Sequence, residues 1–195
     1  MKKRKAHYLI LILIIFLQSC ASFNNSIPNP KTLTKNNLAE LNGKYEMMYL
    51  EFDSISKAYK TQKSNYWNFF AQVDKNYKKE MIKLDSLNNY HFEIFSISPK
   101  KLRIKYLENG KVFKEKILKT ELKNDGYLYF KKKNLKFVGL PYIFGRIDLT
   151  KTRLTLDENK NLILDISNLS SGAALFVVFL NSKTDRYRKI LKRVK

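Results

Sequence analysis

The chain is 195 residues long with a formal net charge of +21, from 38 Lys and Arg against 17 Asp and Glu. Its one cysteine excludes a disulfide within the chain, and with two histidines it is too little for a zinc site built from those residue types. The length and a 44% hydrophobic fraction allow one domain with a sizeable core, held by packing alone.

Lys2, Lys3, Arg4 and Lys5 open the chain, and residues 8–17 are an unbroken apolar run. Ten helical residues at about 1.5 Å each cover about 15 Å, roughly half of a hydrocarbon core. The run therefore predicts an export leader and not a permanent span. Leu17-Gln18-Ser19-Cys20 resembles the bacterial lipobox. The resemblance implies that residues 1–19 are removed and that Cys20 is diacylated as the new N-terminus. Residues 20–37 read as a flexible tether, with Asn, Ser, Lys and Thr around Pro28 and Pro30 and little to bury. Residues 38–195 then form a single β domain. The leader holds four basic residues and no acid, which leaves 34 basic against 17 acidic residues, or +17. No acidic cluster follows Cys20, which favours attachment to the outer membrane facing the periplasm. On an exported chain this charge points to anionic lipid headgroups, glycolipid phosphates or acidic ligands, and not to nucleic acid. Basic residues spread along the whole chain also serve simply as solvating groups.

Within the domain, residues 43–52 alternate and read as the first strand. Residues 56–87 lack Gly and Pro, and Trp67, Phe70 and Val73 recur at spacings of three, with Tyr77, Met81, Leu84 and Leu87 continuing the stripe. That pattern predicts an amphipathic helical insert of one or two helices. Strands are then expected at 92–97, 101–107, 112–122, 127–131, 135–138, 142–148, 153–156, 162–166, 173–180 and 187–194, with turns at Asn109-Gly110 and Asp125-Gly126. About ten short-linked strands without intervening helices are antiparallel, and closing them into a barrel avoids long exposed edges. A two-sheet sandwich satisfies the same pattern. A plain two-residue turn at Asn109-Gly110 sets Tyr106 opposite Phe113 and Ile104 opposite Glu115, so that Glu115 points inward and needs a partner or a ligand. A bulge would remove that demand.

Leu41-Asn42-Gly43-Lys44-Tyr45-Glu46 resembles the Gly-x-Trp-Tyr/Glu opening of lipocalins, with Tyr in place of Trp. The resemblance implies a lipocalin-like, calycin-type antiparallel barrel of about eight to ten strands, here with the helical insert after the first strand. Gly43 would allow a tight bend under the barrel and Tyr45 would plug its closed end. It further implies an Arg packed across that ring, either Arg188 or Arg193, and a cup for a small apolar or amphipathic ligand. Tyr45, Trp67, Phe70 and Glu115 are the candidate ligand-binding residues.

Catalytic chemistry finds little to work with. After removal of the leader His91 is the only histidine, no Gly-x-Ser-x-Gly elbow or phosphate loop occurs, and the adjacent Asp157 and Glu158 fit a hairpin turn. No metal or cofactor is expected. Tyr66, Trp67, Phe69 and Phe70 read either as a lid or membrane-dipping patch or as the core-sealing side of a helix. Lys131-Lys132-Lys133 reads as an edge or as a headgroup contact, and Ser170 to Ala174 as small residues leaving room for a ligand or for close packing. The expected function is a non-catalytic lipoprotein, anchored to a membrane through Cys20, that binds a small amphipathic molecule. The alternative is an interaction lipoprotein docking an envelope partner through its basic or aromatic surface.

Overall fold

The computed structural model describes residues 23, 27–53, 58–61, 69–73, 85, 87–131, 134–140, 144–174 and 178–194. A 3-10 turn, Leu38–Leu41, leads into β1 (Gly43–Glu46), β2 (Leu50–Asp53) and β3 (Ala58–Thr61). A short helix α1 (Phe69–Val73) follows, then β4 (Tyr90–Ser98), β5 (Lys101–Glu108), β6 (Lys111–Leu122), β7 (Leu128–Phe130) and β8 (Asn134–Leu140). The chain ends with β9 (Phe144–Leu156), β10 (Leu162–Ala174), β11 (Val178–Leu191) and β12 (Arg193–Val194). All pair antiparallel in one sheet of order β12-β1-β4-β5-β6-β7-β9-β10-β11-β2-β3, with β8 paired to β9.

The fold is mainly β and antiparallel, as the alternation predicts, but three expectations change. Ala58–Thr61 is a strand paired with β2, inside the range expected to be helical, and only Phe69–Val73 of that range is described as helix. Residues 149–152, read as a break, instead continue one strand from Phe144 to Leu156, since Thr and Lys pair as readily as apolar residues when one face is polar. The hydrogen-bonded path is also open, from β12 to β3, and among the described residues it is not a closed ring of paired strands. β12 at one end is nevertheless joined covalently to β11, third from the other end: Lys192 alone separates them, and its carbonyl accepts from Glu46 N at 2.9 Å.

One face of the sheet carries the core. Tyr45, Phe92, Ile94, Leu102, Ile104, Tyr106, Leu128, Leu154, Leu162, Leu164 and Leu191 are buried there, and the backbone pairings place them opposite one another. Phe69 of α1 stacks on Phe92 with ring centroids 3.9 Å apart, and Tyr45 stacks on the same ring at 5.5 Å.

The opposite face of β7, β9, β10 and β11 is crossed by the N-terminal segment. Residues 27–37 belong to the expected tether, yet they are packed down as a strap. Leu33 is 2% exposed, its N–H donates to Gly126 O, and Thr155 Oγ1 donates to Lys31 O at 2.6 Å. Gly126 has φ of 74°, and a Cβ there would stand 2.6 Å from Thr32, so the turn needs glycine both for its backbone and for the strap above it. Phe23 lies on the guanidinium of Arg153, 4.4 Å from its ring centroid, with Tyr127 on that guanidinium at 3.7 Å.

Beneath the strap two cations share one acid. Asp165 accepts from Arg153 Nε at 3.0 Å and from Arg188 Nε at 2.8 Å and Nη2 at 3.0 Å. Arg188 Nη1 also donates to Pro28 O at 3.1 Å, and its Nη2 to the Tyr127 hydroxyl at 3.0 Å. Asp165 and Arg153 are buried, so removing the carboxylate strands two partly desolvated cations. Asp165→Asn is expected to cost about 3 kcal/mol or more, read as a lower urea midpoint, with faster proteolysis between residues 23 and 33. An unchanged midpoint would show that the cluster is not holding the strap.

Candidate functional site

The inner face changes character along its length, and the register fixes the order. On β9, β10 and β11 the paired rows run Leu156–Leu162–Leu191, then Leu154–Leu164–Lys189, then Thr152–Ile166–Tyr187. They continue as Thr150–Asn168–Asp185 and Asp148–Ser170–Lys183. Each row lies about 7 Å beyond the last. On β5 and β6 the same direction takes Leu102–Leu118 to Ile104–Lys116 to Tyr106–Lys114. An apolar base thus gives way on both sides to a rim carrying lysines, hydroxyls and two aspartates.

The base is sealed around Tyr45. Its hydroxyl donates to Leu41 O at 2.9 Å, and Arg193 lies over its ring with the guanidinium carbon 5.6 Å from the centroid. Arg193 donates through Nη1 to Glu40 O at 3.0 Å and through Nη2 to Asn42 O, which ties the last strand to the 3-10 turn before the first. Of the two arginines that the sequence left open, Arg193 takes this place, while Arg188 belongs to the strap on the opposite face. A Cβ at Gly43 would meet the Arg193 guanidinium at 2.7 Å, so a side chain there would displace the arginine from its place over Tyr45.

Farther along, Tyr49 is fully buried and its hydroxyl has no hydrogen-bond partner among the described residues. Lys189 Nζ sits 5.8 Å from the centre of that ring. Phe70 packs on Tyr106 at 4.4 Å between centroids, and Lys114 Nζ lies 5.3 Å from the centre of the Phe70 ring. The two rim aspartates are matched: Asp148 with Arg146 at 3.0 Å and with Ser170, and Asp185 with Lys183 at 3.2 Å. Among the described residues, Lys114, Lys116 and Lys189 also stand on this inner face.

These positions do not assemble the four residues singled out from sequence. Tyr45 is in the base and Phe70 in the core above it. Trp67 and Cys20 lie outside the described residues. Glu115 is on the other face. The β5–β6 pairing slips by one residue after Leu107, so Tyr106 meets Lys114, Ile104 meets Lys116 and Lys105 meets Glu115. Phe113 is the extra residue of that bulge. Glu115 is therefore exposed, with Arg103 Nε 3.4 Å away. Lys114 and Lys116 have no place on this face without the one-residue shift, and Tyr49 has none without the strand break after Glu46.

His91 pairs with Leu107 and Glu46 on the outer face of β4. Burial, and then the charge of Lys44, hold its imidazole below the ordinary value. The adjacent Asp157 and Glu158 lie in the β9–β10 turn, where Asp157 accepts from Asn161 N at 2.7 Å.

Burial pushes the Tyr45 hydroxyl up to about 12 from an ordinary value of 10.0, and burial also pushes Tyr49 upward. Both shifts disfavour tyrosinate in the folded state. The stability linked to them is intact below about pH 10 and is lost as pH climbs through about 12. The urea midpoint is expected to fall over that window, and Tyr45→Phe to flatten the fall; an identical profile in the variant would remove Tyr45 as its source. Comparison of the chain with protein families, with characterised proteins and with solved structures finds no match.

Proposed function

We propose that the chain is a non-catalytic lipoprotein of the cell envelope, held to a membrane through Cys20, whose sheet wraps into a lipocalin-like cup. Its ligand is a small amphipathic molecule with an anionic head. The observation that carries the reading is the gradient along the inner face, from the base sealed by Tyr45 and Arg193 to a rim with Lys114, Lys116 and Lys189. A hydrophobic tail entering from the rim meets apolar side chains, and its head meets ammonium groups. The unpartnered Tyr49 hydroxyl supports this, since leaving a buried donor unsatisfied costs about 1–3 kcal/mol and a ligand oxygen would recover it. Wrapping of the sheet is supported by the single-residue join between β11 and β12, which brings the two flanks of the path onto one chain segment. The lipocalin resemblance is supported by the Gly43–Tyr45–Arg193 arrangement.

Two measurements test the reading. Cys20→Ser is expected to abolish incorporation of labelled palmitate and to release the protein from membranes; continued labelling would end the lipoprotein reading. Native mass spectrometry of protein purified from its own membranes is expected to show an anionic amphiphile. Lys114→Glu together with Lys189→Glu should lower its occupancy at least tenfold. An empty protein, or equal occupancy in the variant, would end the cup reading.

A further inference from the structure

The outer face of β4, β5 and β6 exposes apolar side chains that a soluble sheet ordinarily covers. Phe95 is 41% exposed, Ile97 48% and Ile117 56%. The pairings set Phe95, Arg103 and Ile117 in one row, with Lys101 and Lys119 opposite each other in the next and Ile97 bulged beside them. Lys105 Nζ lies 5.7 Å from the centre of the Phe95 ring. Apolar side chains interleaved with long basic ones suit the headgroup layer of an anionic bilayer, where rings and aliphatic chains enter the acyl boundary while ammonium groups stay at the phosphates. Among the described residues three acids border the patch on this face, Glu93 and Glu115 in the row with Lys105 and Glu121 two residues beyond Lys119. Arg103 Nε lies 3.4 Å from Glu115, and Lys101 and Lys119 lie on the side away from Glu93 and Glu115.

Position along the sheet argues for the same occupant. Ile117 lies between Lys116 and Leu118, and Lys119, Ile97 and Lys101 of the patch lie beyond it, toward the apolar Leu102–Leu118 end of the gradient. Phe23 is on that side as well, with its ring 5.5 Å from that of Tyr129, which pairs with Glu121 of β6. Glu121 is four residues along β6 from Ile117, about 13 Å. Cys20 is three residues before Phe23, so a lipid on it emerges within about 11 Å of the Phe23 backbone.

We propose that the outer face of β4–β6, around Phe95, Ile97 and Ile117 with Lys101, Arg103 and Lys119, lies on the anionic phospholipid surface, so that the cup opens away from the membrane. The orientation rests on the lipid anchor proposed above; the affinity of the face for anionic lipid does not. The test uses a chain beginning at Ala21, which keeps every described contact and carries no lipid. It is sedimented with vesicles of phosphatidylethanolamine alone, or mixed with phosphatidylglycerol. Binding is expected only to the mixed vesicles. Lys101→Glu with Lys119→Glu is expected to weaken it at least tenfold, as is Phe95→Ser with Ile117→Ser, at unchanged circular dichroism. Lys111→Glu with Arg186→Glu makes the same change in charge at exposed positions toward the rim and is expected to bind like the parent. Absence of binding, or equal loss in the patch and rim charge variants, overturns the proposal. The lipid anchor is tested separately by palmitate incorporation, so either idea can fail alone.

Discussion

One extra residue in β6 decides what each face of the sheet presents. Asn109 and Gly110, with φ of 50° and 81°, make a tight turn that pairs Glu108 with Lys111 and Leu107 with Val112. Without a slip the next inward pairs would be Tyr106–Phe113, Ile104–Glu115 and Leu102–Ile117. Phe113 instead bulges, 36% exposed, with its ring about 6 Å from those of Phe70, Tyr90 and Tyr106. Every later side chain of β6 then changes face. The exchange has a clear electrostatic sense. Glu115 has a short stem and would have been held among apolar groups, whereas lysine has a long aliphatic stem that packs on them, and the Lys114 ammonium rests over the Phe70 ring. The cost is Ile117, moved from the core side to solvent. Lys114 and Lys116 of the rim and Ile117 of the outer patch follow from this local shift.

The base of the sheet is where the chain ties its distant parts together. Arg193 joins the last strand to the turn before the first, Lys192 O accepts from β1, and on the far face residues 27–33 form the strap while Phe23 lies on Arg153. The described aromatic stacking of Tyr45, Phe92 and Phe69 is there too. The rim is built differently, from long hairpins whose inner residues are Thr, Asn, Ser, Asp and Lys. Core packing specifies position tightly and backbone pairing alone does so less, so a stiff base and an adaptable rim are what this division of residues provides.

Much of the fold was legible in the sequence, and the losses share a cause. Strands with clean alternation, such as Lys101–Glu108, were read nearly to their ends. Residues 149–152 and 167–172 were missed as strand because both of their faces carry polar residues, which removes the period of two. The tract around Ala58–Thr61 lacks Gly and Pro and so reads as helix, but tertiary pairing with β2 overrides that. The strap was unreadable for a related reason. Its order comes from Leu33, from backbone carbonyls and from arginines more than a hundred residues away, and low local hydrophobicity conceals all of these. Of the site, Tyr45 and the choice of two arginines were legible. Lys114 and Lys116 were not, because a bulge has no simple signature in composition.

The strap also has a consequence in time. Pro28 and Arg188 are 160 positions apart, so the segment made early waits for partners made near the end of synthesis. If Cys20 is processed as proposed, the enzymes that modify it meet an undocked stretch, free to reach into their clefts. Completion of β9 to β11 then draws the same stretch onto the sheet and shortens the distance to the lipid. The order of manufacture would thus separate a stage suited to modification from one suited to firm attachment.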